Sequence, residues 1–318
     1  MILVAGGAGY IGSHTLKQLA KKYQAITFDN LSAGHRENVK WGRFFEGDLA
    51  DIESLRTCFR ENAITAVMHF CAFANVGESV KDPEKYYQNN VANTLNLLSV
   101  MREFGVSYFI FSSTCATYGN PTTLTLSETH AQNPVNPYGA SKLMVEQIVK
   151  DYAKAYGLKY GFLRYFNAAG ADPDGEIGEA HDPETHLIPL AIYAAQKKRD
   201  KLTIFGNDYP TSDGTCIRDY IHVNDLAKAH ISVLEHLEKG HENIELNLGT
   251  GVGYSVQEII AAVEKITGLP VPYEMGPRRE GDPAVLVADN KKAKEVLGWE
   301  PTFTLEQIVE TAWQWHNK

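Results

Sequence analysis

The sequence predicts an α/β fold, with a doubly wound parallel sheet over residues 1–167 and a smaller mixed α/β domain over residues 168–318 that sends segments back to the first. Short apolar runs rich in β-formers alternate with helical patterns from Met1 to about Leu163, and such alternation calls for a parallel sheet covered on both faces. After Asn167 the texture shifts to a stretch rich in Pro, Gly, Asp and His with no clear period. At 318 residues the chain is long enough for two lobes, and its 44% hydrophobic and 22% charged residues are those of a chain that folds throughout.

Strands are expected at residues 2–5, 25–28, 66–70, 108–112 and 159–163. Between them, apolar residues at helical spacing mark helices at 11–22, 52–61, 85–104 and 141–156. Residues 168–186 read as an irregular loop, a kind of segment that often carries ligand contacts. Further on, Ser255 with Glu258 and Thr304 with Gln307 have the spacing of helix capping boxes, and Gly298 closes a helix that begins near Asp289.

A formal net charge of −9 with no basic stripe excludes nucleic-acid binding, which relies on attraction to phosphates. Cys58, Cys71, Cys115 and Cys216 lack the close pairing of zinc ligands or redox dithiols, so they read as reduced, buried small residues, and no metal is expected. The chain enters a strand without a charged leader and has no apolar run long enough for a bilayer. A cytoplasmic location without a membrane partner is the expectation.

The first strand runs into Gly6-Gly7-Ala8-Gly9-Tyr10-Ile11-Gly12, which opens the first helix. Glycines at positions 6, 9 and 12 let the backbone turn tightly and approach a pyrophosphate, whose charge is met by the helix N-terminus. The second strand ends at Asp29, seventeen positions after Gly12, where a carboxylate can accept both ribose hydroxyls and repel a 2′-phosphate. No adjacent arginine lies where it would hold such a phosphate, Arg36 being a weak candidate. A Rossmann-type NAD site, rather than an NADP site, follows.

Tyr138 and Lys142 stand four residues apart, on one face of a helix. A phenol near pKa 10 is a poor base at neutrality, but an adjacent cation lowers it by roughly one to three units. Ser112, Ser113 and Thr114 bring hydroxyls to the carboxyl edge of the sheet, where open α/β sheets bind ligands, and Thr114 is placed to orient a proton.

These residues, in this order, resemble the extended short-chain dehydrogenase/reductase family, and most closely its UDP-hexose 4-epimerase branch. The likeness runs through GGAGYIGSHT (6–15), VGESV (76–80), NPYGASKLMVEQ (136–147), RYFNAAGA (164–171), IFGNDYPTSDGTCIRDYIHV (204–223) and PRREGDPA (277–284). It implies an isomerase that interconverts UDP-glucose and UDP-galactose by oxidation to a 4-keto sugar, rotation and re-reduction. Tyr138 matches the base, Thr114 its hydroxyl partner and Lys142 the residue that tunes both. Tyr10, Ile11, Asp29, Asn30, Asp48, Leu49, Phe70, Asn89, Tyr138, Lys142 and Phe166 match positions that contact NAD. Asn167, Leu187, Thr203, Ile204, Phe205, Arg218, Arg279 and Asp282 match positions that hold the UDP-sugar. Two arginines can clamp a diphosphate, although each could instead pair with its acidic neighbour, Asp219 or Glu280.

The family's sequences also imply a homodimer, packed through residues 85–104 and 141–156. Three positions depart from the pattern: Ala74 replaces a lysine near the cofactor, His186 an asparagine that touches substrate, and Leu286 a tyrosine that narrows the sugar pocket. They leave UDP-N-acetylhexosamines and UDP-pentoses open as alternative substrates. Cys115 and Ala116 stand where related dehydratases carry an Asp-Glu pair. A non-catalytic NAD-sensing scaffold is the alternative of another class.

Overall fold

Strand β1 (Ile2–Ala5) is buried throughout, with Ile2 and Val4 in one apolar layer and Leu3 and Ala5 in another. Two-sided burial is the mark of a central parallel strand. The computed structural model describes residues 1–121, 123–279 and 282–318. The chain continues through α1 (Tyr10–Leu19), β2 (Ala25–Asp29), β3 (Arg43–Glu46), α2 (Ile52–Glu61), β4 (Ala66–His69), α3 (Val76–Lys81), α4 (Pro83–Tyr86), α5 (Asn93–Glu103), β5 (Tyr108–Thr114), α6 (Pro137–Tyr156) and β6 (Lys159–Tyr165). The second half adds β7 (Asn167–Ala169), α7 (Leu187–Ala195), β8 (Leu202–Phe205), β9 (Ile217–His222), α8 (Val223–Glu238), β10 (Ile244–Leu248), β11 (Gly253–Ser255), α9 (Val256–Thr267), β12 (Tyr273–Gly276), β13 (Val285–Leu286), α10 (Lys291–Leu297) and α11 (Leu305–His316).

Seven parallel strands form one sheet in the order β10-β6-β5-β4-β1-β2-β3. This is a Rossmann-like order, and its direction reverses between β1 and β4, where ligands of such sheets bind. Leu16 and Leu19 of α1 pack with Val233 and Leu237 of α8 on one face. Leu55 of α2, Leu97 of α5 and Val145 of α6 cover the other. Each such side chain, fully buried, contributes roughly 2 kcal/mol, so covering both faces is strongly favoured over leaving either open to water.

Several elements differ from the sequence expectation. Strands β5 and β6 each run two residues further, because Ser113 and Thr114 pair with Arg164 and Tyr165. Strand β10 joins the first sheet from far along the chain, aligning Leu248 with Tyr165. The helix expected at 85–104 is broken by a π turn at Tyr87–Ala92. There the buried Asn90 accepts from Phe73 N at 3.0 Å and donates to Phe73 O and Ser141 Oγ, both at 3.1 Å, and the wider turn reaches those partners. Helix α6 starts earlier than expected, at Pro137, because Asn136 caps Gly139 N at 2.9 Å and proline is pre-set for a first helical position.

In the second half, β9 lies between β11 and β13 and also pairs β7, while β8 pairs β12. Helices α7, α9 and α11 share an apolar core with them through Ile192, Ile259 and Val309. Both expected capping boxes are present, and Gly298 ends α10 at φ 63°. Among the described residues no helix is long and apolar enough to cross a membrane, and the four cysteines are unpaired.

Candidate active site

The chain leaves β1 at Gly6, whose φ of +82° suits glycine, and a Cβ there would lie 2.8 Å from the backbone at Phe70 and Cys71. At Gly12 a Cβ would stand 2.2 Å from the Gly6 carbonyl oxygen. Gly9 donates its N–H to that same oxygen at 3.2 Å and opens α1 with no side-chain cap. The cradle so formed is shaped for an anion against a helix N-terminus. Asp29, at the end of β2, accepts from Ala8 N at 3.0 Å and Leu31 N at 2.9 Å. Burial pushes its carboxyl up, and the two N–H bonds pull it down.

Asn30 donates to Asp48 Oδ2 at 2.8 Å, Leu49 is buried beside them, and Phe70 flanks Gly6. Ile11 is partly buried against the sheet, and Phe166, just past β6, is buried with Tyr118 and Leu126. Asn89 lies in the π turn and donates to Asn90 Oδ1 at 3.0 Å. The Tyr10 hydroxyl donates to Gly170 O at 2.5 Å, tying the glycine turn to the second half of the chain.

Tyr138 and Lys142 lie on one face of α6, facing the end of β5. Burial pushes the Tyr138 phenol up to about 12, with the Thr114 hydroxyl acting downward. Thr114 also accepts from Ala116 N at 3.1 Å. The Lys142 ammonium donates to Ser112 O at 2.8 Å and sits 4.7 Å from the Phe111 ring centre. Desolvation lowers Lys142 to about 7, against smaller upward effects of Cys71 and Glu146. The expected lowering of Tyr138 is not seen: burial raises the phenol and also weakens the charge of Lys142 at neutrality. Burial likewise pushes the thiol of Cys115 up to about 12.

From the second half, Arg218 is buried on β9 and pairs with Asp282, and its Nη1 donates to Ile217 O at 2.7 Å. Its sequence neighbour Asp219 is turned elsewhere, accepting from Thr250 N at 2.8 Å and Gly251 N at 3.0 Å. The charge of Arg218 acts against the burial-driven rise of the Cys115 thiol without reversing it. Arg279 stacks 4.0 Å from the Phe205 ring centre, and Glu280 lies outside the described residues. On β8, Ile204 is buried in the core, while Thr203 is half-buried and donates to Glu274 Oε1 at 3.4 Å. Asn167 and Leu187 line one cavity with Glu179, His186 and Tyr220. Leu286 aligns with Arg218 across β13 and β9, and Ala74 is exposed after β4.

Sequence reasoning missed three residues that hold this arrangement. Asn90 fixes the loop after β4 to α6, as above. Glu146, one further four-residue step along the Tyr138 and Lys142 face, is wholly buried and pairs with Arg164 Nη2 at 2.6 Å. That repeat of four was the available signal.

A sequence profile described as the NAD dependent epimerase/dehydratase family matches residues 2–249. The chain is 54% identical to the UDP-glucose 4-epimerase of Rhizobium leguminosarum bv. trifolii over 318 residues, covering 100% of this chain and 97% of that protein. It is similar to the crystal structure of UDP-glucose 4-epimerase from Brucella ovis in complex with NAD, at 53% identity and a TM-score of 0.96, covering 98% and 97% of the two chains. It is also similar to the UDP-Glc/GlcNAc 4-epimerase from Campylobacter jejuni, at 45% identity and a TM-score of 0.87, covering 99% and 98%.

Proposed function

The chain belongs to the NAD dependent epimerase/dehydratase family, and on that premise we propose that it is an isomerase interconverting UDP-glucose and UDP-galactose with NAD as cofactor. The observation that carries the reading is Tyr138 set against Thr114 at the carboxyl end of β5, on the same sheet edge as the glycine cradle.

The residues fit the cofactor, since side chains larger than hydrogen at Gly6 and Gly12 would strike backbone and Asp29 presents a carboxylate at the end of β2. Gly6, Gly9 and Gly12 would receive the pyrophosphate and Asp29 the adenosine ribose. Asn30, Asp48, Leu49 and Phe70 would line the same side, with Tyr10, Ile11, Asn89 and Phe166 completing the site. Bound there, NAD would supply a reversible hydride acceptor for the C4 carbon of the sugar.

A C4–H bond is not acidic, so inversion at C4 needs a temporary ketone. Tyr138 takes the O4 proton as the ketone forms and returns it when the alcohol is restored on the other face. Thr114 orients that proton, and Lys142 draws on its bond to the Ser112 carbonyl for position. Since burial holds Tyr138 near 12, its proton leaves only under a nearby positive charge. Arg218, Arg279 and Asp282 hold the nucleotide, with Asn167, Leu187, Thr203, Ile204 and Phe205 around it. Binding concentrated on the nucleotide leaves the sugar free to turn.

Replacing Tyr138 by Phe should lower kcat by about a hundredfold or more with NAD binding retained. Wild-type turnover in that variant would overturn the assignment. Leu286, where a tyrosine would narrow the pocket, favours a second reading in which N-acetylated or pentose UDP-sugars also react, and NMR of products from a panel of these tests it. The four unpaired cysteines support work in the cytoplasm. Exposed Leu95 on α5 and Met144 on α6 support a homodimer, for which light scattering should give twice the 35.3 kDa chain mass.

A further inference from the structure

The segment that leads into α7 carries Glu179, His181, Glu184 and His186, a Glu-x-His-x-x-Glu-x-His spacing within eight residues. One ligand atom from each lies within 4.8 Å of all the others. His181 Nδ1 stands 3.1 Å from Glu179 Oε1 and 3.6 Å from Glu184 Oε1, and His186 Nδ1 also meets Glu179 Oε1. Ligands about 2.0–2.1 Å from a tetrahedral zinc are separated by roughly 3.3 Å, and the two spacings from His181 fall on either side of that value. The two imidazole rings meet edge to face, with centres 5.1 Å apart.

Two further observations bear on a ligand. The Glu184 side chain is only 5% exposed, yet its Oε2 has no hydrogen-bond partner among the described residues. A buried carboxylate oxygen without a partner is costly, and a cation would relieve it. The segment is also held in place, since Trp315 Nε1 donates to Glu179 O at 2.8 Å and the His35 ring contacts Ala180 O at 2.6 Å.

The nearby triplet Asp172, Asp174 and Glu176 makes the contrast. There the Lys17 ammonium stands 2.6–2.7 Å from all three carboxylates and already supplies the cation. No lysine or arginine pairs with Glu179 or Glu184 among the described residues; their partners are the His181 and His186 imidazoles, which become metal ligands when a cation displaces their ring protons. We propose that Glu179, His181, Glu184 and His186 form a binding site for a borderline divalent cation of the zinc type, which braces the segment beside Asn167 and Leu187. Two imidazoles with two carboxylates suit zinc or cobalt over magnesium or calcium.

The test uses the full chain after treatment with a chelator. Titration with Co2+ should give visible absorption of tetrahedral intensity saturating at one equivalent, and Zn2+ should displace it. His181→Ala and Glu184→Gln should each weaken Co2+ binding on the order of a hundredfold. In the unsubstituted chain, Co2+ should shift the imidazole proton resonances of two of the eleven histidines, a readout that does not depend on any variant folding. An absence of saturable Co2+ absorption, or binding unchanged in His181→Ala, overturns the proposal. Neither result depends on turnover, so the epimerase reading stands or falls separately.

Discussion

Arg164 shows how one residue can set a site without touching a ligand. Its guanidinium, wholly buried, gives Nε to Glu146 Oε1 at 2.9 Å and Nη2 to Glu146 Oε2 and Glu245 Oε2, both at 2.6 Å. Ser113 Oγ adds a bond to Glu146 Oε1 at 2.6 Å. The pair thereby locks α6 to β5, β6 and β10 two turns past Tyr138. Glu146→Gln should destabilise the protein by about 3 kcal/mol or more, because it leaves a buried cation short of its main partner. Chemical denaturation checks this, and Arg164→Met combined with Glu146→Gln should recover part of the loss. An unchanged midpoint for the single variant would show that the charge is compensated elsewhere. Tyr138 and Lys142 were legible from spacing, but the direction of their shifts was not. Both are governed first by desolvation, which is a property of the surrounding fold.

Among the elements, α2 was legible to the residue at 52–61, and α1 was announced by the glycine turn that opens it. At Gly6 and Gly12 the structure supplies the contacts that a Cβ would violate. Gly12→Ala would drive a methyl into the Gly6 carbonyl and push α1 away from the turn. The expected outcome is at least a tenfold weaker NAD affinity by calorimetry with the circular dichroism of the fold retained. Undiminished affinity would mean that the cradle is not where NAD binds. The helix expected at 85–104 was legible as helical but not as broken, because Asn90 makes its decisive bonds to Phe73 and Ser141, which are distant in sequence. Strand β3 has no fully buried residue, which is why no apolar alternation announced it.

Across the whole molecule, burial holds several histidines neutral, His14, His69, His222 and His230 most strongly. Desolvation lowers His14 and His230 to about 4, and His69 and His222 to about 3. Their unfolded pKa is about 6.5, so the unfolded chain binds more protons below that value. Their contribution to stability is fully present above about pH 6.5 and is lost as the pH falls toward 4 and 3. The melting temperature should therefore drop between pH 6.5 and 4, with net proton uptake on unfolding measurable by calorimetry in buffers of different ionisation enthalpy. A flat profile between pH 6.5 and 4.5 would show that these rings are solvated.

The sequence by itself determined the alternation of strands and helices, the glycine turn with Asp29, and the Tyr138, Lys142 and Thr114 set. Each of these rests on local periodicity or on residues close together in the chain. The tertiary structure alone decided that β10 completes the sheet and that Arg218 pairs with Asp282 rather than Asp219. The physical reason is the same in each case: the partners are chosen by burial and hydrogen bonding between segments that only folding brings together, and no spacing in the chain encodes that choice.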